Sequence, residues 1–262
     1  TEWADFADGP EWGGKGNPWP RNEPRKYSFL YGAGGDRTSF PDYSRVQAAI
    51  TKLQQPNDKP FCIFLPLFFP HPPFTASADF YHMYRPEDLP PLRPARFEKK
   101  PEFYNAIHTM RRLDKVGESF LRQIQAVYLG MISYTDWLLG RLLEAGDGSG
   151  HRDDTVVIVC SDHGEWAGDY GLVEKWSTAM DDVLLRVPLI IRMPGGVSAH
   201  VVHTMVELHD LMATLLELAG IEPGHTHFAQ SLVPHLSGAQ GNPRHAVFSE
   251  GGYNRNAPHC FV

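Results

Sequence analysis

An aspartate and a histidine stand side by side shortly after an apolar run of the chain ends. The run Thr155–Val159 is β-branched throughout, and Asp162 and His163 follow it closely. Such a run is typical of a strand buried in a parallel sheet, where both faces are covered. Because ligands of open α/β sheets bind beyond the carboxyl ends of strands, the pair lies where a site is expected.

A carboxylate and an imidazole in this position can bind a divalent metal ion. Oxygen-rich sites favour calcium, magnesium or manganese, whereas histidine ligands favour zinc. The simpler alternative is that Asp162 caps the turn after it and that His163 is an ordinary surface residue. The glycine and glutamate that follow, with a lysine in the next segment, favour the metal site.

Lys175 and His71 could act on an anion bound at such a metal. Lys175 follows the turn Gly168–Gly171, and its compact charge suits an anionic oxygen during phosphoryl or sulfuryl transfer. His71 lies between prolines in the segment Phe69–Phe74, and these prolines restrict the backbone around it. A preorganised imidazole can bind an anion or protonate a leaving group. The alternatives are a solvated surface lysine and a loop histidine.

A second group of ligand-type residues has no spacing typical of a metal site; it comprises His200, His203, His209 and Asp210. His209 and Asp210 begin an amphipathic segment, where capping a helix is the simpler role. We expect structural or surface roles for all four. The glycines at 32–35 do not fit the dinucleotide-binding pattern, and the sequence has no G-x-S-x-G segment of the serine esterases.

Composition narrows the class of partner. The 262 residues are 42% hydrophobic and carry a formal charge of −7 with no long basic run, so we expect neither a nucleic-acid nor a membrane partner. No apolar stretch reaches membrane-spanning length. The start Thr1–Asp5 resembles neither a signal peptide nor a natural initiator, which suggests a processed or excised segment and leaves the compartment open.

Three cysteines, Cys62, Cys160 and Cys260, lie far apart without a C-x-x-C spacing. Cys62 and Cys160 stand inside apolar runs, where a cysteine usually behaves as a small hydrophobic residue. We therefore expect both of these side chains to be buried.

Helices and apolar strands alternate along the chain. Periodicity predicts helices over residues 43–55, 118–145 and 206–219, stopped in the last two cases by Gly146 and Gly220. Apolar runs predict strands over residues 61–67, 155–159, 187–193 and 246–249. This alternation indicates an α/β protein with a largely parallel sheet.

Irregular segments flank these elements. Residues 1–42 are rich in glycine, proline and tryptophan, and we expect irregular surface structure there. Residues 43–252 form the predicted domain, from which the Pro-rich stretch 70–116 extends as a lid or wall over a cleft. Residues 253–262 are predicted to be a tail.

Six segments together form an ordered pattern: Phe69–Pro73, Tyr128–Leu143, Ser161–Glu165, Gly168–Trp176, Arg186–Gly195 and Leu208–Gly220. This pattern resembles the sulfatase family, the arylsulfatase-like branch of the alkaline phosphatase superfamily, over about residues 40–252. The resemblance implies a three-layer α/β/α fold with a mostly parallel sheet, incomplete at its amino-terminal side.

The resemblance also implies roles for four residues. Asp162 and His163 would bind a divalent ion, usually calcium in this family, with magnesium or manganese as alternatives. Lys175 would contact the sulfate group and the nucleophile, and His71 would bind the sulfate or assist the departing oxygen. The implied substrate is a small sulfated molecule.

One part of the family pattern has no counterpart here. The nucleophile of the family is a formylglycine made from the cysteine of a C-x-[PA]-x-R motif, and none of the three cysteines lies in such a motif. An early pair of metal-binding aspartates is likewise absent. We expect these 262 residues to be inactive alone and to form one piece of a longer sulfatase, completed by an amino-terminal portion of the same fold. The alternatives are a phosphomonoester, phosphodiester or phosphonate hydrolase, and a non-catalytic sulfatase-like fragment.

Overall fold

The structure, a computed structural model, describes residues 30–56, 59–176, 179–197, 199–239, 241, 243–251 and 260–261. Expectations for residues 1–29 and 252–259 lie outside these ranges. The chain divides into two compact units. The first combines Thr1–His151 with Glu165–Glu174, and the second combines Arg152–Gly164 with Lys175–Val262. No helix among the described residues combines the length and the apolar character needed to cross a bilayer.

The first unit is built around one long helix, numbered α4 by its order along the described chain. The helix α4 spans Glu118–Gly148, and its predicted apolar stripe is buried at Ile124, Val127, Met131 and Tyr134. The prediction is confirmed except at the end, because the helix continues through Gly146 and ends only where Ser149 N–H bonds to the Ala145 carbonyl at 3.0 Å.

The helix α1, Pro41–Leu53, packs against α4 and buries the predicted face. Two further short helices, α2 at Ala78–Tyr81 and α3 at Phe103–Met110, complete the helices of this unit among the described residues. The 3₁₀ turns Pro86–Asp88 and Leu113–Lys115 flank α3. The predicted helix over residues 43–55 is therefore confirmed, with its start displaced to a proline, which suits the first turn of a helix.

The sheet of the first unit joins two strands that the sequence did not reveal. Strand β1, Leu30–Gly34, pairs in parallel with β2, Phe74–Ser77, and all four residues of β2 are buried. The prediction of irregular structure over residues 1–42 is therefore wrong for β1. Both strands are short and interrupted or flanked by glycine and proline, which hides them from a search for apolar alternation.

The predicted strand over residues 61–67 is wrong. This segment has no strand partner among the described residues, and Phe64 is 88% exposed. Cys62 is also exposed, which corrects the expectation that it is buried. An apolar run becomes a strand only when another strand supplies its hydrogen bonds, and that partner does not come from the described part of this chain.

The second unit contains an antiparallel pair of strands. Strand β3, Val157–Cys160, pairs with β4, Leu189–Arg192, so that Cys160 lies opposite Leu189. The strands predicted at 155–159 and 187–193 are therefore confirmed. Against expectation, however, β3 is only half-buried and Cys160 is exposed. A buried strand needs cover on both faces, and the described residues supply only part of that cover.

In the described part of the second unit, three helices accompany this pair: α5 at Asp182–Leu185, α6 at Asp210–Ala219 and α7 at Val233–Leu236. Gly220 ends α6 as predicted, with φ of 65°. The start of α6 is later than predicted, because residues 207–209 form a turn in which the Glu207 N–H donates to the Asp210 carboxylate.

The strand predicted at 246–249 is wrong. Phe248 is 81% exposed, and the strands β5 and β6 follow at Glu250–Gly251 and Cys260–Phe261.

Candidate functional site

The Asp162–His163 pair lies in the turn that follows β3. Asp162 Oδ1 accepts the His163 backbone N–H at 2.9 Å, and Ser161 Oγ donates to the His163 carbonyl at 2.7 Å. The Asp162 side chain is 85% exposed and that of His163 is 40% exposed. The turn therefore holds its own backbone through hydrogen bonds while it presents both side chains to solvent.

Gly164 ties this turn to the segment that carries α5. Its N–H donates to the Leu184 carbonyl at 2.8 Å, and a Cβ at Gly164 would lie 1.9 Å from the Val183 carbonyl oxygen. No side chain fits in that space, so glycine is required directly after the Asp–His pair.

The imidazole of His163 is oriented by the backbone. Nδ1 lies 2.8 Å from the Gly164 carbonyl oxygen, which can only accept, so we assign the ring hydrogen of the neutral imidazole to Nδ1. The lone pair is then on Nε2, which lies 3.6 Å from Asp162 Oδ2. Histidine ligands are usually held in this way, through a hydrogen bond from the nitrogen that does not bind the metal.

These two donors fit a shared cation. Ligand atoms 3.6 Å apart can both reach one ion at metal–ligand distances of about 2.0–2.6 Å. Asp162 and His163 offer two ligands, whereas a calcium ion takes about six to eight. The pair fits as a part of a coordination shell.

The group formed by Glu207, His209 and Asp210 also brings ligand atoms together, within 4.8 Å of one another. The negative charge of its two carboxylates, however, is already balanced by the guanidinium of Arg244. The guanidinium contacts both Asp210 oxygens, at 2.5 and 2.8 Å, and Glu207 Oε2 at 3.2 Å. These contacts support the structural role expected for Asp210, although it bonds to neighbouring backbone rather than acting as the helix cap.

Asp210 is fully involved in this structural network. Burial raises the pKa of Asp210, but hydrogen bonds donated by Arg244 and by the backbone of Gln230 and Glu207 outweigh that effect. The net pKa is lower than usual, which means that the network favours the ionised carboxylate. His200 and His203 are exposed, as expected.

Lys175 is half-buried and follows a loop whose backbone is held in unusual conformations. Glu174, directly before it, has φ of 70° and is buried. Its carboxylate forms an ion pair with Arg111 at 2.5 Å, and its carbonyl accepts the Trp166 N–H at 3.2 Å. The backbone that leads into Lys175 is therefore anchored.

The Pro-rich segment contacts the loop 165–174. Arg93 N–H donates to Asp169 Oδ1 at 2.8 Å, and Tyr170 N–H donates to the Arg93 carbonyl at 2.8 Å. The Lys100 ammonium lies 4.7 Å from the centre of the Tyr170 ring. The segment predicted as a lid is thus packed onto this loop in the first unit.

His71 lies in a proline-bounded loop of the first unit, in which the Phe69–Pro70 and Pro72–Pro73 peptide bonds are cis. The side chain is half-buried, and its ring centre lies 4.8 Å from that of Phe68. Nδ1 is 2.6 Å from the Pro72 carbonyl oxygen, so in the neutral ring Nδ1 carries the hydrogen and Nε2 the lone pair.

Cys160, close to Asp162 in the sequence, does not supply a nucleophile of low pKa. Partial burial, and next the negative charge of Asp162, raise the pKa of the Cys160 thiol. A raised pKa decreases the thiolate fraction at neutral pH, and the thiolate is the reactive form.

Comparison with known proteins decides the family. The family model described as Sulfatase matches residues 22–221. The chain belongs to the sulfatase family. The multifunctional alkaline phosphatase superfamily protein PehA of Trinickia caryophylli is 34% identical over 216 residues, which are 76% of this chain and 41% of that protein. Arylsulfatase K of Danio rerio is 28% identical over 260 residues, 90% of this chain and 49% of that protein.

Solved structures of this superfamily share the fold. The phosphonate monoester hydrolase of Agrobacterium radiobacter has a TM-score of 0.75 and 26% identity, covering 98% of this chain and 55% of that one. The enzyme SpPMH from Silicibacter pomeroyi, also a phosphonate monoester hydrolase, has a TM-score of 0.73 at 24% identity, with 99% and 55% coverage. The α/β class is confirmed. The chain spans less than half the length of PehA and of arylsulfatase K from Danio rerio.

The sequence predictions missed two residues that anchor the backbone of this sulfatase-family chain. Asp42 contacts the backbone before His71, and Arg111 pairs with the residue before Lys175. Neither stands in a motif that suggests chemistry. The proline before Asp42 indicates only a helix start, so the sequence carried no direct signal for either contact.

Proposed function

We propose that this chain is the part of a sulfuric ester hydrolase that holds the metal, the sulfate group and the leaving oxygen. The observation that carries the proposal is the Asp162–His163 pair at the end of β3, with His163 Nε2 placed 3.6 Å from Asp162 Oδ2 in a chain of the sulfatase family. Hydrolases of this family use a divalent metal, and we propose calcium as the ion, with magnesium or manganese as alternatives.

Each predicted residue has a role in this proposal. Asp162 and His163 hold the ion, which when bound supplies positive charge that polarises the sulfate oxygens. The Lys175 ammonium binds an anionic oxygen of the sulfate and stabilises the charge that develops during transfer. His71 acts as the doubly protonated imidazolium: it gives the proton on Nε2 to the departing alcohol oxygen and keeps the Nδ1 hydrogen that faces the Pro72 carbonyl.

The attacking oxygen belongs, in this proposal, to a formylglycine outside these residues. Two observations support a further portion of the fold. In the apolar segment 61–67, the Phe64 side chain is 88% exposed. The chain also covers only 41% of the length of its relative PehA. We propose that the amino-terminal portion supplies the nucleophile, additional metal-binding carboxylates and strands that cover this segment.

A phosphonate or phosphate ester hydrolase is the second candidate. It is favoured by the structural likeness to the phosphonate monoester hydrolase of Agrobacterium radiobacter, with a TM-score of 0.75 at 26% identity. A metal, a lysine and a histidine serve transfer at phosphorus and at sulfur equally well.

The substrate preference of the complete protein tests the proposal. We expect kcat/KM for nitrophenyl sulfate to exceed that for nitrophenyl phosphate and for a nitrophenyl phosphonate ester. A clear preference for either phosphorus ester would replace the sulfatase by the second candidate. The Lys175→Met variant, purified identically, controls for contaminating hydrolases. No turnover of any of the three esters by the complete protein would support the remaining alternative, a non-catalytic sulfatase-like protein.

A further inference from the structure

Asp42, a buried residue outside the predicted site, holds the backbone that leads to His71. It lies in the first turn of α1, and its side chain is only 2% exposed. Oδ2 accepts the backbone N–H groups of Phe68 and Phe69 at 2.8 and 2.7 Å, and Oδ1 accepts that of Phe68 at 2.9 Å. One carboxylate thus joins the start of α1 to two consecutive peptide groups.

The partners of this carboxylate in the described residues are all donors. Besides the two peptide N–H groups, the Arg45 guanidinium donates to Oδ1 at 2.6 Å. A buried carboxylate is costly unless hydrogen bonds satisfy its oxygens, and buried N–H groups likewise need an acceptor. Because each side satisfies the other, the position of Phe68 and Phe69 relative to α1 is well defined.

Phe68 connects this contact to His71. The Phe68 carbonyl accepts the His71 backbone N–H at 3.0 Å, and the two rings are 4.8 Å apart. Phe68 is therefore held by Asp42 through its N–H group and holds His71 through its carbonyl group and its ring. A shift of Phe68 would move the imidazole with it.

We propose that Asp42 is a positioning residue that sets the direction of His71 Nε2 towards the leaving oxygen of the ester. The inference rests on the role proposed above for His71. Asp42 acts through Phe68, and its carboxylate bonds to Phe68, Phe69 and Arg45 in the first unit. Its loss should therefore impair the step that His71 assists and leave other steps intact.

The dependence on the leaving group tests this inference in the complete protein. An alkyl ester needs protonation of its departing oxygen, whereas a nitrophenyl ester needs it much less. We expect Asp42→Asn to lower kcat for an alkyl sulfate by about 10- to 100-fold, with little change in KM, and kcat for nitrophenyl sulfate by less than about threefold. If the protein prefers phosphorus esters, the matching pair of those esters is used.

Two further variants sharpen the comparison. His71→Ala should show the same dependence on the leaving group, and the double variant Asp42→Asn/His71→Ala should be no slower than His71→Ala alone. Arg45→Met is the control, because it leaves both peptide contacts of Asp42 in place. It should hydrolyse both esters at nearly the original rate.

Equal losses of kcat for both esters in Asp42→Asn would overturn the inference, since they would indicate a purely structural effect. A normal Asp42→Asn beside an impaired His71→Ala would overturn it while leaving the proposed function intact. A normal His71→Ala would contradict both. If Asp42→Asn does not fold, Asp42→Glu displaces the carboxylate by one methylene and should show the same selective loss; without that loss the inference fails.

Discussion

The carboxylates of this chain differ in what neutralises them. Asp42, Asp210 and Glu174 are buried, and each forms an ion pair with an arginine. Asp162 is 85% exposed and lies beside an imidazole whose Nε2 carries a lone pair in the neutral ring. A buried acid paired with arginine is already neutralised, and removing its partner would leave a buried charge uncompensated. An exposed acid beside a nitrogen ligand is instead suited to an added cation.

Lys175 gives the first prediction at the residue scale. Lys175→Met in the complete protein should lower kcat/KM by about 10²- to 10³-fold, because a charge that stabilises the transferring group is removed. Lys175→Arg should restore only part of this loss, since a guanidinium has a different shape and reach. Steady-state kinetics with nitrophenyl sulfate measure both. Lys99→Met, at an exposed position, is the control, and equal rates for the Lys99 and Lys175 variants would contradict the role.

The Asp210–Arg244 pair gives a prediction on pH. The folded-state pKa of Asp210 is lower than usual, so its stabilisation is present above the unfolded pKa of about 3.9 and is lost as pH falls through the folded value. Asp210→Asn should therefore destabilise the protein at pH 7, and this penalty should shrink as the pH falls below about 4. Urea unfolding across pH measures it. Glu217→Gln, exposed on the same helix, should show little effect at any pH, and a pH-independent Asp210→Asn penalty would refute the assignment.

At the scale of elements, two glycines of α4 differ in how closely other residues of the first unit pack against them. A Cβ at Gly130 would lie 2.2 Å from the Phe80 carbonyl oxygen, whereas a Cβ at Gly140 would meet nothing within 4 Å. Gly130→Ala should lower the free energy of unfolding by about 1–3 kcal/mol through overpacking. Gly140→Ala should raise it by about 0.5–1 kcal/mol, because alanine favours the helix. Thermal or urea unfolding of both variants checks this, and similar effects at the two positions would contradict the packing.

Sequence reasoning succeeded where an element depends on its own side chains. The stripe of α4 and the face of α1 follow from helical periodicity, and both are buried as expected. The prediction of a strand at residues 61–67 was wrong, because a strand needs a hydrogen-bonding partner as well as an apolar run. The same reason explains why Cys62 is exposed, whereas Cys160 is exposed although its strand has a partner, because the described residues cover β3 only in part.

The site divides in a similar way. Asp162, His163, Lys175 and His71 could be selected because each stands in a short local motif, and their roles remain predictions. The contacts of Asp42 with Phe68 and Phe69 span 26 and 27 residues, so only the three-dimensional structure reveals them.

For the molecule as a whole, the exposed run at residues 61–67 predicts a difference between this chain and the complete protein. In the isolated 262 residues, Phe64→Ala should change stability by less than about 0.5 kcal/mol, because Phe64 is 88% exposed. In the complete protein the same change should cost about 3–5 kcal/mol, since the proposed additional strands cover this side chain. Phe80→Ala, in the core of the first unit, should destabilise both. A neutral Phe64→Ala in the complete protein would contradict the proposed cover.

The central claim, a metal-dependent hydrolase whose ion is held by Asp162 and His163, is tested most directly by one paired measurement on the complete protein. Turnover of nitrophenyl sulfate and the affinity for calcium are measured for Asp162→Ala beside Asp153→Ala, an exposed aspartate of the same unit. We expect Asp162→Ala to abolish turnover and to weaken calcium binding by at least about tenfold, while Asp153→Ala changes neither. Unchanged turnover and calcium affinity in Asp162→Ala would contradict the claim.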